Sequence, residues 1–416
     1  MGNNWQVTYD EIKGFVAQHP SIEIGMNVVS IPGDVRDDFY RLFDSLRADF
    51  VRDYFSASLE KAYALSSNHE KIRNELTTIL GVEGIEVETS LNDFLRNPIG
   101  HVTNLLFDPL FDLLKSKSNL ETFEEISTRK INVAFDTLLQ QGYKSWLTLS
   151  LMRHMAPDAA YIVPLPNEVT DACDHDIGVP GTCHKQVPPD PVLANRLSFN
   201  ATPFCPFLVP KVIIHSKLLN LFVSFLQEFR DVTGEAYSLS QQLEWYRLSE
   251  LRSKIGRIRL WPDLAIYIAR QPNELVIVAD YHKMARPDII VNIVQKNNLV
   301  EPGKPEMLKT QDKVFAPRLC SFVICPEPLT DADIETMKYQ IQPETQQIEA
   351  VESRAKTGEH PESESTLPAP ISSIGQSRDI KIIGVGYEAG KLELISNAII
   401  QSRLYAELTS NQNTVA

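Results

Sequence analysis

The sequence predicts an α/β or α+β fold, in which a helical N-terminal region is followed by a mixed sheet flanked by helices. Three observations lead to this fold class. Apolar residues recur at helical spacing through the first third of the 416-residue chain. Short runs of apolar, β-prone residues begin near Ala160. These runs alternate with helical stretches, as in proteins that pack helices on a sheet, and we expect an antiparallel hairpin at the centre of that sheet.

The helical region is expected over residues 1–155. From Asp34 onward one helix face is apolar and the rest is rich in charge, and the Asp34 carboxylate can cap the helix by accepting a free amide hydrogen. Pro98 and Pro109 are expected to break the helical stretch over residues 91–114 into pieces, and Ser118 opens a sequence with the spacing of a capping box. The apolar residues of the first of these helices are Val35, Phe39, Leu42, Phe43, Leu46 and Phe50.

An α/β domain is expected over residues 158–335. The proposed strands are short apolar runs rich in β-branched residues. Residues 271–273 lie between two of them and are typical of a tight connection between antiparallel strands. Two helices are expected between the early strands, over residues 218–229 and 239–254. The predicted strands cover residues 160–163, 211–215, 264–269, 275–279, 289–294 and 321–324.

Two further segments follow this domain. Residues 341–378 contain no Phe, Trp or Tyr and are rich in Gln, Glu, Ser, Thr and Pro. Because so little apolar surface cannot offset the entropy lost on ordering, a flexible linker is expected there. Residues 379–410 return to an apolar strand and a helical pattern, which together are too short for a separate domain. This strand–helix unit is expected to dock on the α/β domain.

Composition and charge exclude several classes of protein. Apolar residues make up 43% of the chain and charged residues 23%, which excludes collagen-like and wholly disordered chains. The formal net charge of −14 argues against a protein that coats nucleic acid or an anionic membrane with its whole surface. Five cysteines, with no secretory or membrane segment, predict a soluble, cytoplasmic protein that keeps its thiols reduced and does not bind membranes.

One irregular stretch contains potential zinc ligands. Cys173, His175, Cys183 and His184 lie close together in a region rich in proline and aspartate, and zinc prefers thiolate and imidazole ligands. The stretch has no Cys-x-x-Cys pair, which is the spacing that makes zinc motifs specific. A zinc site and a polar surface loop therefore both remain open as interpretations.

A local reversal of charge distinguishes the segment before the predicted hairpin. Five cations lie within 13 residues around a single acid, Glu250, and aromatic residues flank them. Because cations hold phosphates and aromatic rings stack on bases, this segment is a candidate nucleic-acid site. The alternative is a solvated helix face that pairs with acids elsewhere. The candidate nucleic-acid-binding residues are Arg252, Lys254, Arg257, Arg259 and Trp261, with Arg247 ahead of them.

Acidic residues follow at two strand positions. Asp263, after Pro262, opens one predicted strand, and Asp280 follows the next strand, just ahead of His282 and Lys283. This arrangement resembles the PD-(D/E)XK superfamily over about residues 241–325. The restriction-endonuclease-like core of that superfamily places an acid on one strand of a hairpin and an acid-x-Lys sequence on the next.

The resemblance implies a metal-dependent nuclease site. Asp263 and Asp280 would hold Mg²⁺, which activates water and offsets charge on the scissile phosphate, and His282 and Lys283 complete the catalytic candidates. In the family the lysine lies two residues after its acid, so that both side chains share one strand face. Here His282 occupies that position and Lys283 the next. Acids on the preceding helix that could assist are Glu244 and Glu250.

Two functional hypotheses from different classes follow. The first is a soluble interaction or scaffold protein without a complete catalytic motif, whose partner is another protein. The second is a metal-dependent nuclease-like or nucleic-acid-binding protein that uses a degenerate PD-(D/E)XK site on DNA or RNA, with Mg²⁺ as its cofactor. A zinc-dependent hydrolase is a more distant third.

Overall fold

The computed structural model describes residues 4–25, 28–164, 190–200, 207–227, 229, 232, 235–236, 238–255, 261–299, 301–341 and 380–402, without the side chains of residues 252, 254, 255 and 299. Two compact units divide the chain. The linker predicted over 341–378 lies outside the described residues except for its first residue. The candidate zinc ligands also lie outside them, namely Cys173, His175, Cys183 and His184.

The first unit is helical and comprises the described residues within Met1–Leu76, Ile85–Leu149 and Phe199–Ala201. Its elements are α1 (Asn4–Gln18), β1 (Glu23–Ile24), β2 (Val29–Ser30), α2 (Gly33–Leu80), β3 (Ile85–Glu86), α3 (Thr89–Arg96), α4 (Pro98–Thr103), α5 (Phe107–Leu114) and α6 (Leu120–His154). Helix α2 bends at Phe55, where φ is −130° and the backbone is not helical. The core is aromatic, with Trp5 fully buried against Phe50 and Phe123.

The helical stretch over residues 91–114 is divided into separate helices, as expected, and Pro98 and Pro109 each lie at the start of one of them. Pro98 occupies the first position of α4, where no amide hydrogen is needed. Asn97 caps the same helix, because its Oδ1 accepts a hydrogen bond from the Gly100 amide at 3.0 Å. Pro109 lies in the first turn of α5, and a 3-10 turn over Asn104–Leu106 separates this helix from α4.

Two helices begin differently from the expectation. At the start of α6 the cap is Asn119, whose Oδ1 accepts from the Thr122 amide at 2.8 Å, in place of the capping box expected from Ser118. Helix α2 begins at Gly33, so Asp34 lies inside its first turn. The negative charge of Asp34 is still favourable there because the helix dipole is positive at that end.

The second unit comprises the described residues within Thr77–Gly84, Ser150–Ser198 and Thr202–Ala416. Its strands are β4 (Pro157–Ile162), β5 (Val192–Leu193), β6 (Leu197–Ser198), β7 (Val212–Ser216), β8 (Leu221–Leu226), β9 (Trp245–Arg247), β10 (Leu264–Ala269), β11 (Lys283–Ala285), β12 (Ile289–Ile293), β13 (Cys320–Cys325) and β14 (Ile380–Gly384). Its remaining helices are α7 (Leu248–Ile255), α8 (Lys296–Leu299), α9 (Lys304–Phe315), α10 (Asp331–Ile341) and α11 (Glu393–Ile400).

An eight-stranded mixed sheet organises this unit, in the order β14-β13-β12-β10-β8-β7-β4-β5. Strands β7, β8, β10 and β12 are successively antiparallel, whereas β12, β13 and β14 are parallel. Strands β7 and β8 form a hairpin, and the antiparallel pairs of β10 lie at the centre of the sheet. The predicted fold class is confirmed: a helical N-terminal region precedes a mixed sheet with flanking helices and an antiparallel hairpin.

Three of the predicted elements are wrong. Residues 275–279 form no strand, because Gln271 and Glu274 cap a 3-10 helix over Pro272–Leu275 and the chain then continues without a strand partner until Ala279. The antiparallel neighbours of β10 are therefore β8 and β12. The helix expected over residues 218–229 is strand β8, and the helix expected over 239–254 is strand β9 followed by α7.

The last described strand completes one edge of the sheet. Strand β14 pairs in parallel with β13, from Ser321 opposite Ile380 to Cys325 opposite Gly384. At Gly384 a Cβ atom would lie 2.5 Å from the backbone nitrogen of Leu329, so only glycine allows this approach. Both Cys320 and Cys325 are buried free thiols.

Candidate functional site

Several of the predicted site residues gather on a small antiparallel ribbon, formed by β9, β11 and the turn over residues 280–283. Strand β9 pairs with β11, and Arg247 lies directly opposite Lys283. The turn is closed by a hydrogen bond from the Asp280 amide to the Lys283 carbonyl oxygen at 2.7 Å. Asp280, His282 and Lys283 are therefore brought together in one turn, and they are not successive residues of a strand.

The carboxylate of Asp280 holds this turn. Its Oδ1 accepts hydrogen bonds from the amides of His282 at 2.9 Å and Lys283 at 2.7 Å, as Asp commonly does at the start of a turn. The residue is only 4% exposed, so these amides replace the water that burial removes. Asp280 acts here as an acceptor for the backbone.

This role gives a prediction on stability. Asp280→Ala leaves two amides without their acceptor and is expected to lower the free energy of unfolding by about 1–3 kcal/mol. Asp280→Asn keeps an oxygen acceptor and is expected to remain within about 1 kcal/mol of the wild type. Urea titrations followed by tryptophan fluorescence measure both values. Equal losses in the two variants would contradict the assignment of Asp280 to the turn.

Asp263 lies at the beginning of β10 and holds a different segment. Its Oδ2 accepts a hydrogen bond from the Ile293 amide at 2.7 Å, at the end of β12. No three His, Cys, Asp or Glu side chains form a metal-binding group within the part of the chain that the structure describes. Asp263 and Asp280 alone would leave Mg²⁺ dependent on water and phosphate oxygens for its other ligands.

The exposed end of the ribbon carries the side chains of His282 and Tyr281. The His282 side chain is 59% exposed, and its Nε2 contacts a carboxylate oxygen of Glu235. Tyr281 is 53% exposed, and its ring lies edge-on to His282 with the ring centroids 4.8 Å apart. Because residues 280–283 form a turn, the alternation of a strand does not decide which side chain takes the place of the family lysine.

The aromatic residue that ends the basic segment is used in packing. Trp261 is half-buried and stacks on Phe229, with ring centroids 5.0 Å apart and an interplanar angle of 12°. Its ring also lies 5.7 Å from that of Phe315. The other predicted cations follow Arg247 in the chain. The structure describes the backbone but not the side chains of Arg252 and Lys254 in α7, and Arg257 and Arg259 lie outside the described residues.

Two ion pairs of this unit are not predicted by any pattern in the sequence. Glu244, one of the acids considered for metal binding, contacts Arg286. Asp288 is fully buried and its Oδ1 lies 2.6 Å from Arg318 Nε. The Pro287-Asp288 sequence indicates only a turn, because the arginine partner lies about 30 residues away.

The cross-strand pair of Arg247 and Lys283 has an unfavourable charge pattern. Like charges directly opposite each other on two strands repel. Both side chains are exposed, and neither forms an ion pair or hydrogen bond with another side chain of the described chain. The ribbon therefore carries two adjacent positive charges that no described carboxylate neutralises.

Comparison with known proteins identifies no relative. No protein-family model, curated protein or solved structure matches the chain. Among the described helices, none combines the length and apolar character needed to cross a bilayer. What the chain does is therefore inferred from its own residues.

Proposed function

We propose that this chain is a non-catalytic interaction protein whose ribbon binds the phosphate backbone of a nucleic acid. The observation that carries the proposal is the unneutralised pair of Arg247 and Lys283. An external anion beside this pair converts a cross-strand repulsion into two attractive contacts. The chain contains 54 acidic residues, so the lack of a described carboxylate at this pair favours an external partner.

The surroundings of the pair suit a polyanion. The exposed ring of Tyr281, in the turn that leads to Lys283, offers a stacking surface. Helix α7 begins directly after Arg247, and its sequence carries two more cations, Arg252 and Lys254. Two-stranded ribbons are among the elements that proteins place in nucleic-acid grooves. Because salt screens charges beyond about 8–10 Å, the distant acids that give the net charge oppose this local contact only weakly.

A binding role is favoured over cleavage because both candidate metal ligands form hydrogen bonds with the backbone. Asp263 and Asp280 each accept backbone amide hydrogens, so both carboxylates already hold the local backbone, and no third His, Cys, Asp or Glu joins them as a metal-binding group among the described residues. Metal-dependent cleavage is therefore the alternative outcome of the experiment that follows.

Fluorescence anisotropy with labelled single-stranded and double-stranded DNA and RNA tests the proposal. Arg247→Ala/Lys283→Ala is expected to bind about tenfold more weakly than the wild type near 50 mM salt. The slope of log affinity against log salt is expected to shrink by about 1.4–1.8, because two phosphate contacts are lost. The loss is expected to be similar for all sequences, since phosphates carry no base information.

The matched control is Lys309→Ala/Lys338→Ala, because these surface lysines already pair with Glu306 and Glu335. The control is expected to change neither the affinity nor the salt slope. Absence of binding by the wild type at low salt, or equal weakening in both double variants, would overturn the proposal. Parallel mixtures with Mg²⁺ or EDTA detect cleavage, and cleavage that Asp280→Asn abolishes would replace the proposal with the nuclease alternative.

A further inference from the structure

The turn of the ribbon holds one exposed aromatic side chain on a fixed backbone. Tyr281 is 53% exposed and directly follows Asp280. The Asp280 carboxylate accepts the amides of His282 and Lys283, and the Leu248 amide donates to the His282 carbonyl oxygen at 2.8 Å. The backbone that carries Tyr281 is therefore tied from both sides and needs little further ordering when a ligand binds.

The ring of Tyr281 is also positioned by its neighbour. It lies edge-on to the ring of His282, with an interplanar angle of 75°, which is a favourable arrangement for an aromatic pair. His282 in turn contacts Glu235. A tyrosine has only two side-chain torsions to fix on binding, and about half of this side chain is open to solvent. Such a ring suits stacking of a planar group that arrives from solvent.

The cations of the ribbon are few for binding a duplex by charge alone. Arg247 and Lys283 lie opposite each other on β9 and β11 and account for two phosphate contacts, whereas proteins that bind duplexes strongly through phosphates make about six to ten. Stacking of a base on an aromatic ring adds affinity without further cations. The bases of a duplex are paired and stacked on one another, so a single strand is the form that offers Tyr281 a free base.

We propose that the ribbon selects single-stranded over double-stranded nucleic acid, with one base stacked on Tyr281 and neighbouring phosphates held by Arg247 and Lys283. The inference rests on the proposed function and names the form of nucleic acid that the ribbon binds. Tyr281 lies two residues before Lys283, so their Cα atoms are at most about 7 Å apart and one short stretch of strand can reach both. Every base has a face for stacking, so the preference is expected for RNA and DNA and for all base sequences.

Anisotropy of one labelled oligonucleotide, measured as a single strand and as a duplex, tests the inference. The wild type is expected to bind the single strand about tenfold more tightly than the duplex. Tyr281→Leu keeps an apolar side chain but removes the aromatic face, and it is expected to lose about tenfold in affinity for the single strand and little for the duplex. Tyr281→Phe keeps that face and is expected to retain most of the affinity. The salt slope of Tyr281→Leu is expected to match the wild type, because no phosphate contact is lost.

The matched control is Tyr339→Leu, because Tyr339 is 65% exposed and lies in α10, away from the ribbon in the chain. This variant is expected to bind the single strand as the wild type does. Inorganic polyphosphate, used as a competitor, carries phosphate charge without bases. It is expected to bind the wild type and Tyr281→Leu equally and Arg247→Ala/Lys283→Ala more weakly, which separates stacking from charge.

The outcomes distinguish this inference from the proposed function. Failure of the wild type to bind any oligonucleotide or polyphosphate at low salt would overturn the proposed function, and this inference with it. Equal affinity of the wild type for single strand and duplex would overturn the inference alone. The same holds for equal single-strand affinity in the wild type and Tyr281→Leu, or for an equal loss in Tyr281→Leu and Tyr281→Phe.

Discussion

Replacing Arg318 by alanine is expected to lower the free energy of unfolding by about 3–5 kcal/mol, because it removes the partner of a buried charge. Asp288 is fully buried; its Oδ1 accepts from Arg318 Nε at 2.6 Å and its Oδ2 from the Ile268 amide at 2.7 Å. Burial raises the pKa of the Asp288 carboxyl, and the guanidinium of Arg318 opposes that rise. Without Arg318, the carboxyl group must either stay charged in an apolar surrounding or take up a proton.

Chemical denaturation measures this loss, and a double variant tests its cause. Asp288→Asn/Arg318→Met removes both charges together and is expected to recover most of the stability lost in Arg318→Ala, because a buried pair as a whole contributes little net free energy. A loss of unfolding free energy below about 1 kcal/mol in Arg318→Ala would show that water solvates the Asp288 carboxylate in place of Arg318, and would contradict its burial.

Acid is expected to destabilise the helical unit by about 3 kcal/mol as the pH falls from about 6.5 to about 4. His69 is 2% exposed, and its Nε2 lies 2.9 Å from Ser145 Oγ. Burial, with a smaller contribution from Arg73, lowers the pKa of His69 to about 4. The folded chain therefore keeps this ring neutral down to about pH 4, whereas the unfolded chain takes up a proton near pH 6.5. The stabilisation is complete above pH 6.5 and is lost on the way down to pH 4.

Urea titrations at several values between about pH 7.5 and pH 4 measure this dependence. His69→Gln cannot ionise and is expected to reduce the acid-induced loss by about 3 kcal/mol. Ser145→Ala is the control, because it removes the hydrogen bond but leaves the buried imidazole in place, and it is expected to retain most of the pH dependence. Identical pH profiles for the wild type and His69→Gln would assign the acid loss to other groups.

Elements whose apolar residues fit only one kind of secondary structure were predicted correctly from the sequence. Helix α2 follows from a single apolar face, and β10, β12 and β13 follow from short runs of buried apolar residues. Strand β8 was missed because Leu218, Phe222 and Phe225 also have helical spacing. Since both faces of that strand are largely buried, it lacks the alternation that identifies a strand.

The candidate site was only partly accessible to sequence reasoning. Asp280, His282 and Lys283 are close in the chain, so their proximity was predictable, and an aspartate that opens a turn is a known signal for the role of Asp280. The juxtaposition of Arg247 and Lys283 depends on the register between β9 and β11. No local pattern specifies that register, because it is set by how the two strands pack.

The position of β14 at the sheet edge has a consequence for how the chain folds as it is synthesised. Strand β13 is fully buried, and among the described strands β14 alone pairs with its outer edge; β14 emerges from the ribosome about 55 residues later. Until then β13 offers unpaired amide and carbonyl groups to any neighbouring chain, and such open edges promote aggregation. Nascent or truncated chains that end before residue 380 are therefore the species most in need of chaperones.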